Sequence, residues 1–170
     1  MNTHHHEHHG RLEITWEEFG EMAQELALRI DADFQADCVV GVSKGGLTLA
    51  SVLASLFRID LFPIRLSYRV RDRVVYDKPT WSVEPPQEVE GCKVLLVDEI
   101  AVSGRTLREA ERALLDRGAA EIKTCTLYIH PGSNKPDYYL METPEMVIHP
   151  WDKWIIVDGK LVVHPEYREG

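Results

Sequence analysis

The chain has 170 residues, of which 44% are hydrophobic and 28% are charged, so we expect one domain that buries its own core. Its formal net charge of −9 argues against a general nucleic-acid or membrane-surface binder, because such proteins need a basic surface. No run approaches 18 consecutive apolar residues and no apolar signal segment follows the start, which predicts a cytoplasmic protein without a membrane span.

The first residues, "MNTHHHEHHG", are rich in histidine. Such a tract is a compositional signal that is usually disordered, so residues 1–10 are predicted to be a tail and residues 11–170 a single domain. Within that domain, apolar residues recur at helical spacing from Thr15 to about residue 30, which predicts an amphipathic first helix.

Strands and helices are then predicted to alternate. In chain order they are a strand at 38–42, a helix at 47–57, strands at 61–68 and 93–100, a helix at 105–118 closed by Gly118, and a strand at 121–129. Alternation of this kind predicts an α/β fold, in which a mostly parallel twisted sheet is flanked by helices on both faces.

Two segments depart from the alternation. Residues 69–90 contain many charges and three prolines between two core strands, and a loop of that length is usually a lid or a disordered segment. From residue 131 onward the chain is rich in proline and aromatic residues. It is predicted to form a small appendage with a hairpin that turns at Asp158 and Gly159.

Residues 41–45 spell G-x-S-x-G, the pattern of a hydrolase nucleophile elbow, with Ser43 as the serine. An α/β-hydrolase elbow stands late in its sheet, after strands that supply part of the oxyanion hole. Here only one helix precedes it, and a triad histidine would have to come from His130, His149 or His164. A serine hydrolase is therefore kept only as a remote alternative.

The same turn is better suited to receive an anion. It matches neither G-x-x-x-x-G-K-[ST] nor G-x-G-x-x-G. Gly41, Gly45 and Gly46 allow close backbone approach, the helix start adds partial positive charge, and Lys44 adds a full one. These features predict an anion site, with a plain strand-to-helix turn carrying an exposed lysine as the alternative.

A second turn carries acids beside a small-residue loop. Asp98 and Glu99 stand at the end of an apolar strand and are followed by residues 101–106, before a helix. Ligands of open α/β sheets bind at that edge, where backbone amides and the hydroxyls of Ser103 and Thr106 suit a phosphate. Paired carboxylates suit sugar hydroxyls or Mg²⁺. One sugar phosphate fits both, and the alternative is a solvated strand end with Ser103 as a helix cap.

The stretch "VLLVDEIAVSGRTL" (94–107) resembles the signature of the type I phosphoribosyltransferases, which is an apolar strand, two acids, a small-residue loop and S/T-G-x-T. The stretch "GVSKGGL" resembles the pyrophosphate loop of that family, and residues 66–68 resemble the start of its lid. Residues 135–154 resemble the base-covering hood of its xanthine-guanine and hypoxanthine branch. The resemblance implies a lid at about 66–90 and a hood at about 131–170.

The resemblance also implies a role for each matched residue. Asp98 and Glu99 would hold the ribose hydroxyls of 5-phosphoribosyl 1-pyrophosphate and, with Asp152, Mg²⁺. Ser43, Lys44 and Gly45 would bind the pyrophosphate, commonly through a non-proline cis peptide, with Lys44 and the two acids as catalytic residues. The other implied substrate-binding residues are Ala101, Val102, Ser103, Gly104, Arg105 and Thr106 at the 5-phosphate, Ser67 and Tyr68 in the lid, and His130, Met146 and Val147 at the base.

Three positions depart from the purine pattern of the family. Val102 replaces a third acid, His130 replaces a lysine, and Met146 replaces an aromatic residue. The resemblance implies that all three positions contact the base and not the sugar diphosphate. Binding of the phosphoribosyl donor is therefore expected, and the identity of the acceptor base is left undecided.

The implied function is a magnesium-dependent transfer of the phosphoribosyl group to a purine or purine-like base, with release of pyrophosphate. We expect a dimer or tetramer that acts on small molecules, without nucleic-acid or membrane partners. The alternative from another class is a non-catalytic module that binds the sugar diphosphate or a nucleotide.

Overall fold

A computed structural model describes residues 10–67, 69–70, 73–74 and 80–168. The helices are α1 (Trp16–Asp31), α2 (Gly46–Phe57) and α3 (Arg105–Asp116), with single 3₁₀ turns at Gln87–Val89 and Pro165–Tyr167. The first seven strands are β1 (Arg11–Glu13), β2 (Cys38–Val42), β3 (Asp60–Ser67), β4 (Arg69–Val70), β5 (Arg73–Val74), β6 (Thr80–Val83) and β7 (Lys93–Val97). The others are β8 (Ile100–Ala101), β9 (Glu121–Cys125), β10 (Tyr128–Ile129), β11 (Met141–Glu142), β12 (Met146–Ile148), β13 (Trp154–Val157) and β14 (Lys160–Val163).

The chain divides into two compact units, with a boundary inside α1. The larger is Met22–Glu142, and the smaller combines Met1–Glu21 with Thr143–Gly170. In the larger unit, five strands form a sheet in the order β6-β3-β2-β7-β9, where β3, β2, β7 and β9 are parallel and β6 is antiparallel to β3. The predicted mostly parallel sheet is confirmed.

The central strands are covered on both faces. All five residues of β2 are buried, as its continuous apolar sequence predicts. Val40 and Leu96 belong to a core cluster with Leu107 and Leu114 of α3, whereas the α-carbon of Gly41 faces α2 on the opposite side. The two helices therefore lie on opposite faces of the sheet, as predicted.

Two predicted strands end earlier than expected. The strand predicted at 93–100 stops at Val97, and the strand predicted at 121–129 stops at Cys125; both resume in a second sheet of order β11-β10-β8. At the break, the Asp98 carboxylate accepts a hydrogen bond from Glu99 N at 2.9 Å. The backbone of both acids still bonds to the neighbouring segment, since Asp98 N donates to Cys125 O at 3.1 Å and Glu99 O accepts from Leu127 N at 3.2 Å.

Residues 69–90 contain more regular structure than predicted. Thr80–Val83 is an edge strand paired with β3, and Trp81 packs against the core cluster. Burial of this indole ring stabilises the pairing. The prediction of an irregular segment is therefore wrong for residues 80–83, and Gln87–Val89 forms a 3₁₀ turn with Val89 buried. Residues 68, 71–72 and 75–79, including the predicted lid residue Tyr68, lie outside the described residues.

Helix boundaries follow their predicted signals. At the start of α1, Thr15 Oγ1 accepts from Glu18 N at 3.2 Å while the Glu18 carboxylate accepts from Thr15 N at 2.7 Å, which is a capping box. Helix α3 ends at Asp116, two residues before its predicted end, and Gly118 follows its C-cap with φ +96°.

The smaller unit contains two separate strand pairs. β1 is parallel to β12, and β13 with β14 forms the predicted hairpin. Asp158 and Gly159 both adopt positive φ, at 50° and 73°, as a two-residue hairpin turn requires. In the described part of the chain, no helix combines the length and apolar character needed to cross a membrane.

Candidate functional site

A loop and a pair of acids of the larger unit lie at the same edge of the central sheet. The first loop (residues 43–45) follows β2, and the acid pair (Asp98 and Glu99) follows β7. Because β2 and β7 are adjacent and parallel, with Gly41 opposite Val97, their carboxyl ends meet. The sequence therefore places the acids beside the glycine-rich turn, at the edge where open α/β sheets bind ligands.

The first loop packs directly on the acid pair. A methyl group built on Gly45 would lie 1.9 Å from Glu99 Cδ and 2.1 Å from each carboxylate oxygen. A methyl group on Gly46 would lie 2.8 Å from both Asp98 Cα and Val97 O. No side chain larger than hydrogen fits at either position without displacement, so the two glycines are what allow the loop and the acids to touch.

The first loop also opens its backbone to a ligand. The Ser43-Lys44 peptide bond is cis, as the family resemblance implies, and Ser43 N donates to Ile64 O at 2.8 Å. Gly45 is the N-cap of α2, and no side chain caps that helix. Leu47 N donates to Lys44 O at 3.1 Å and Thr48 N donates to Gly45 O at 3.3 Å, so it is the positive end of the helix dipole that favours an anion at this start.

Ser43 lacks the environment of a hydrolase nucleophile. Among the described residues, no hydrogen bond joins its hydroxyl to a histidine. The elbow pattern at residues 41–45 is therefore explained by close packing of its turn.

The acid pair has unusual electrostatics. Burial, and to a lesser degree the neighbouring Glu99 carboxylate, raise the pKa of Asp98 to about 8. The hydrogen bond from Glu99 N opposes that shift only in part. Without a bound cation, Asp98 is therefore mainly protonated at neutral pH, and a cation at the pair would favour the ionised form.

The second loop (residues 102–104) follows the acid pair and β8. Gly104 is in the left-handed conformation, with φ +71°, and is the N-cap of α3, which no side chain caps. Arg105 N donates to Ser103 Oγ at a long 3.4 Å. Val102, Ser103 and Arg105 are exposed and Thr106 is half-buried. The loop thus presents a second uncapped helix start close to the same acids.

A turn at residues 130–134 supports the second loop. His130 N donates to Ala101 O at 3.0 Å, and the Asn134 side chain donates to Ser103 O at 2.8 Å. His130 itself is buried. Asn134 was not identified from the sequence; its signal is a short Gly-Ser-Asn turn that follows a strand ending at this same edge.

The remaining predicted site residues belong to both units. Met146 and Val147 lie on β12 in the smaller unit, and the turn that carries Asp152 belongs to the same unit. The Asp152 carboxylate accepts a hydrogen bond from Tyr167 Oη at 2.6 Å. Ser67 ends β3 in the larger unit. The structure thus brings together the first loop, the acid pair, the second loop and His130 in one unit, and the roles of all these residues remain predictions.

The acids alone do not form a complete metal cage. In the part of the chain that the structure describes, no group of three or more histidine, cysteine, aspartate or glutamate side chains is arranged to hold a metal ion. Two adjacent carboxylates nevertheless match Mg²⁺, which is usually bound by one or two carboxylates together with substrate phosphates and water.

Comparison with known proteins agrees with this arrangement. A family model described as "Phosphoribosyl transferase domain" matches residues 14–158. The purine phosphoribosyltransferase of Pyrococcus horikoshii superposes with a TM-score of 0.75 at 25% identity, over 87% of this chain and 98% of that one.

Curated relatives include a protein named as bifunctional and one named as a transcriptional regulator. Bifunctional protein PyrR of Citrifermentans bemidjiense is 33% identical over 91 residues, which cover 48% of this chain and 51% of that protein. Transcriptional regulator GfcR of Methanothrix thermoacetophila is 33% identical over 90 residues, covering 52% and 43%. The chain therefore spans about half the length of the curated relatives it matches.

Proposed function

The chain belongs to the type I phosphoribosyltransferase family, and from this premise we propose that it transfers the 5-phosphoribosyl group of 5-phosphoribosyl 1-pyrophosphate to a nucleobase. The acceptor is a purine or a purine-like ring, the second product is pyrophosphate, and the reaction requires Mg²⁺. Purine salvage in the cytoplasm, by a dimer or tetramer, is the setting we propose for it.

The contact between Gly45 and the Glu99 carboxylate carries the proposal. It joins a basic, amide-lined loop to a pair of sugar-binding acids at one sheet edge. The donor molecule has a diphosphate on C1, two ribose hydroxyls and a 5-phosphate. The first loop, the acid pair and the second loop with the start of α3 offer one suitable element for each group.

The donor set also suits the proposed metal. Asp98 and Glu99 supply oxygens from two adjacent carboxyl groups, which is the donor type that Mg²⁺ prefers. Asp152 is a further proposed ligand through the family resemblance. When bound, Mg²⁺ would neutralise charge on the diphosphate as it leaves.

The chain's own residues would act mainly by binding and electrostatics. As the bond between C1 and the pyrophosphate oxygen breaks, a base nitrogen attacks C1 and positive charge develops on the ribose ring. Lys44, exposed in the first loop, would stabilise the departing pyrophosphate, and the acid pair would orient the ribose. Segment 66–90, proposed as the lid, would exclude water from the cationic ring.

The acceptor side differs from the donor side. Val102 is 36% exposed on the second loop, while His130 is buried at the end of β10. A valine cannot accept a proton, and a neutral imidazole differs from an ammonium group as a hydrogen-bond partner. A purine-like acceptor other than the common 6-oxopurines is consistent with these replacements.

The test is pyrophosphate release with a panel of purines and pyrimidines. Replacing Asp98→Asn together with Glu99→Gln should lower the rate by about 100-fold or more, because sugar and metal contacts are lost. The matched control, Asp116→Asn with Glu17→Gln, changes charge equally at two exposed acids and should leave the rate unchanged. A wild-type protein that releases no pyrophosphate with any base would contradict the proposed reaction.

A second candidate is a non-catalytic module that binds the sugar diphosphate or a nucleotide. The similarity to a protein named as a transcriptional regulator and the three altered base contacts favour it. Calorimetry separates the two candidates: tight donor binding without turnover supports the module, and robust turnover excludes it.

A further inference from the structure

Asn134 contacts the second loop through three separate groups. Its side-chain Nδ2 donates to Ser103 O at 2.8 Å, and its backbone N–H donates to the same oxygen at 3.4 Å. A methyl group built on Gly104 would lie 2.7 Å from Asn134 O and 2.9 Å from Asn134 Cβ. The asparagine therefore fixes the Ser103 carbonyl and limits the space around Gly104.

The turn that carries Asn134 is itself anchored. His130 N donates to Ala101 O at 3.0 Å, directly beyond the pairing of β8 with β10, and Ser133 N donates to His130 O at 3.0 Å. Two points of residues 101–103 are thus held from one short turn. Asn134 acts on the loop from a fixed position, although its side chain is exposed.

Holding the Ser103 carbonyl also orients the next N–H group. The peptide unit between Ser103 and Gly104 is planar and trans, so its C=O and N–H point in opposite directions. With the carbonyl turned toward Asn134, the Gly104 N–H must point away from the turn. Within residues 10–67 and 80–168, this N–H donates to no backbone acceptor and Gly104 is buried, so an anion bound at the start of α3 would satisfy it.

We propose that Asn134 is a positioning residue for the 5-phosphate of the donor. This inference rests on the proposed function and deepens it, because it identifies a residue outside the second loop that orients the loop. Asn134 does not touch the phosphate. It holds the Ser103-Gly104 peptide so that the Gly104 N–H faces the anion before the anion arrives, which lowers the cost of ordering the loop on binding.

A positioning role differs measurably from a general structural role. If Asn134 only stabilised the fold, its loss would weaken every ligand of the site equally. If it orients the second loop, its loss would weaken ligands that carry the 5-phosphate and spare pyrophosphate, which the first loop would bind without it. Ribose 5-phosphate and magnesium pyrophosphate are therefore the two informative probes.

The experiment compares wild type with Asn134→Ala by calorimetry. Asn134→Ala should bind ribose 5-phosphate about five- to ten-fold more weakly, as expected for one lost hydrogen bond, while its affinity for magnesium pyrophosphate stays within about two-fold of wild type. In turnover, the KM for the donor should rise more than kcat falls. Gln35→Ala is the matched control, because the Gln35 side-chain amide also donates to a backbone carbonyl, that of Asp31 at 2.8 Å, and lies outside the site, and both affinities should be unchanged.

Asn134→Asp supplies a second, equally sized variant. Its carboxylate cannot donate to Ser103 O and adds a negative charge near the phosphate, so ribose 5-phosphate should bind more weakly than to Asn134→Ala. Equal weakening of both probes, or none in either variant, would overturn the positioning role while the proposed function stands. A wild-type protein that binds neither probe would overturn both.

Discussion

The first loop and the second loop reach similar form by different means. The first is held by close packing, because Gly45 and Gly46 lie against the acid pair without room for a Cβ. The second is held by hydrogen bonding, because the Asn134 side chain donates to the Ser103 carbonyl, and Gly104 adopts φ +71°. Both end on an uncapped glycine at a helix start.

The difference teaches what each loop is sensitive to. The first loop depends on a steric fit against the Glu99 carboxylate and the backbone of Val97 and Asp98, so an added methyl group requires one of these neighbours to shift. The second depends on backbone orientation, which is held by a few hydrogen bonds of about 0.5–1.5 kcal/mol each. Substitutions at the two glycines therefore distinguish the two modes of support, and the expected effects below run from largest to smallest.

The largest effect is expected for Gly45→Ala. Because the new methyl group would lie 1.9 Å from Glu99 Cδ, the acid must turn away from the loop or the loop must move. We expect pyrophosphate binding, measured by calorimetry, to weaken by about 100-fold or more, whereas the unfolding free energy should change by less than about 1 kcal/mol, because the atoms displaced are the far end of a flexible side chain.

Gly20→Ala is the control for that change. Gly20 lies inside α1, and nothing is within 4 Å of a methyl group built on it. The variant should bind normally and gain about 0.5–1 kcal/mol of stability from its helix propensity. If Gly45→Ala bound pyrophosphate as wild type does, the first loop would not be a pyrophosphate site.

An intermediate effect is expected for Gly104→Ala. Alanine is disfavoured at φ +71° by about 1–2 kcal/mol, and its methyl group would meet Asn134 O at 2.7 Å. Gly91→Ala separates these causes, because Gly91 has φ +75° with nothing within 4 Å and lies outside the turn that carries Asn134. Thermal unfolding should show a greater loss for Gly104→Ala, and ribose 5-phosphate should bind about ten-fold more weakly only in that variant. If the two variants behaved identically, the contact between the new methyl group and Asn134 O would not contribute to the loss of stability and binding.

A pH-dependent effect on stability, separate from the ligand-binding effects above, is expected for the acid pair between the loops. The pKa of Asp98 rises from 3.8 to about 8 on folding, so between these values the folded protein binds a proton that the unfolded chain lacks. The carboxyl group therefore lowers stability progressively as pH increases from about 4 to 8.

Asp98→Asn removes this titration. In the absence of Mg²⁺ and ligands, the melting temperature of the variant relative to wild type should rise steadily as pH increases toward about 8. A constant difference across that range would show that Asp98 is not perturbed as described.

Much of the fold was predictable because its signals are local. The strand predicted at 38–42 is observed at Cys38–Val42, since a short apolar run in a doubly covered sheet has few alternatives. The start of α1 follows from Thr15, and α3 begins at Arg105, the residue at which its helix was predicted to begin. The edge strand Thr80–Val83 was missed because its pairing with β3 and the burial of Trp81 are tertiary interactions.

The sequence by itself determined that two glycine-containing turns and an acid pair stand at strand ends, because residue type and spacing specify turns and helix starts locally. Only the tertiary structure decided that Glu99 lies against Gly45, that burial raises the pKa of Asp98, and that Asn134 holds Ser103. These features depend on distances between residues far apart in the chain, and those distances are set by sheet pairing and packing.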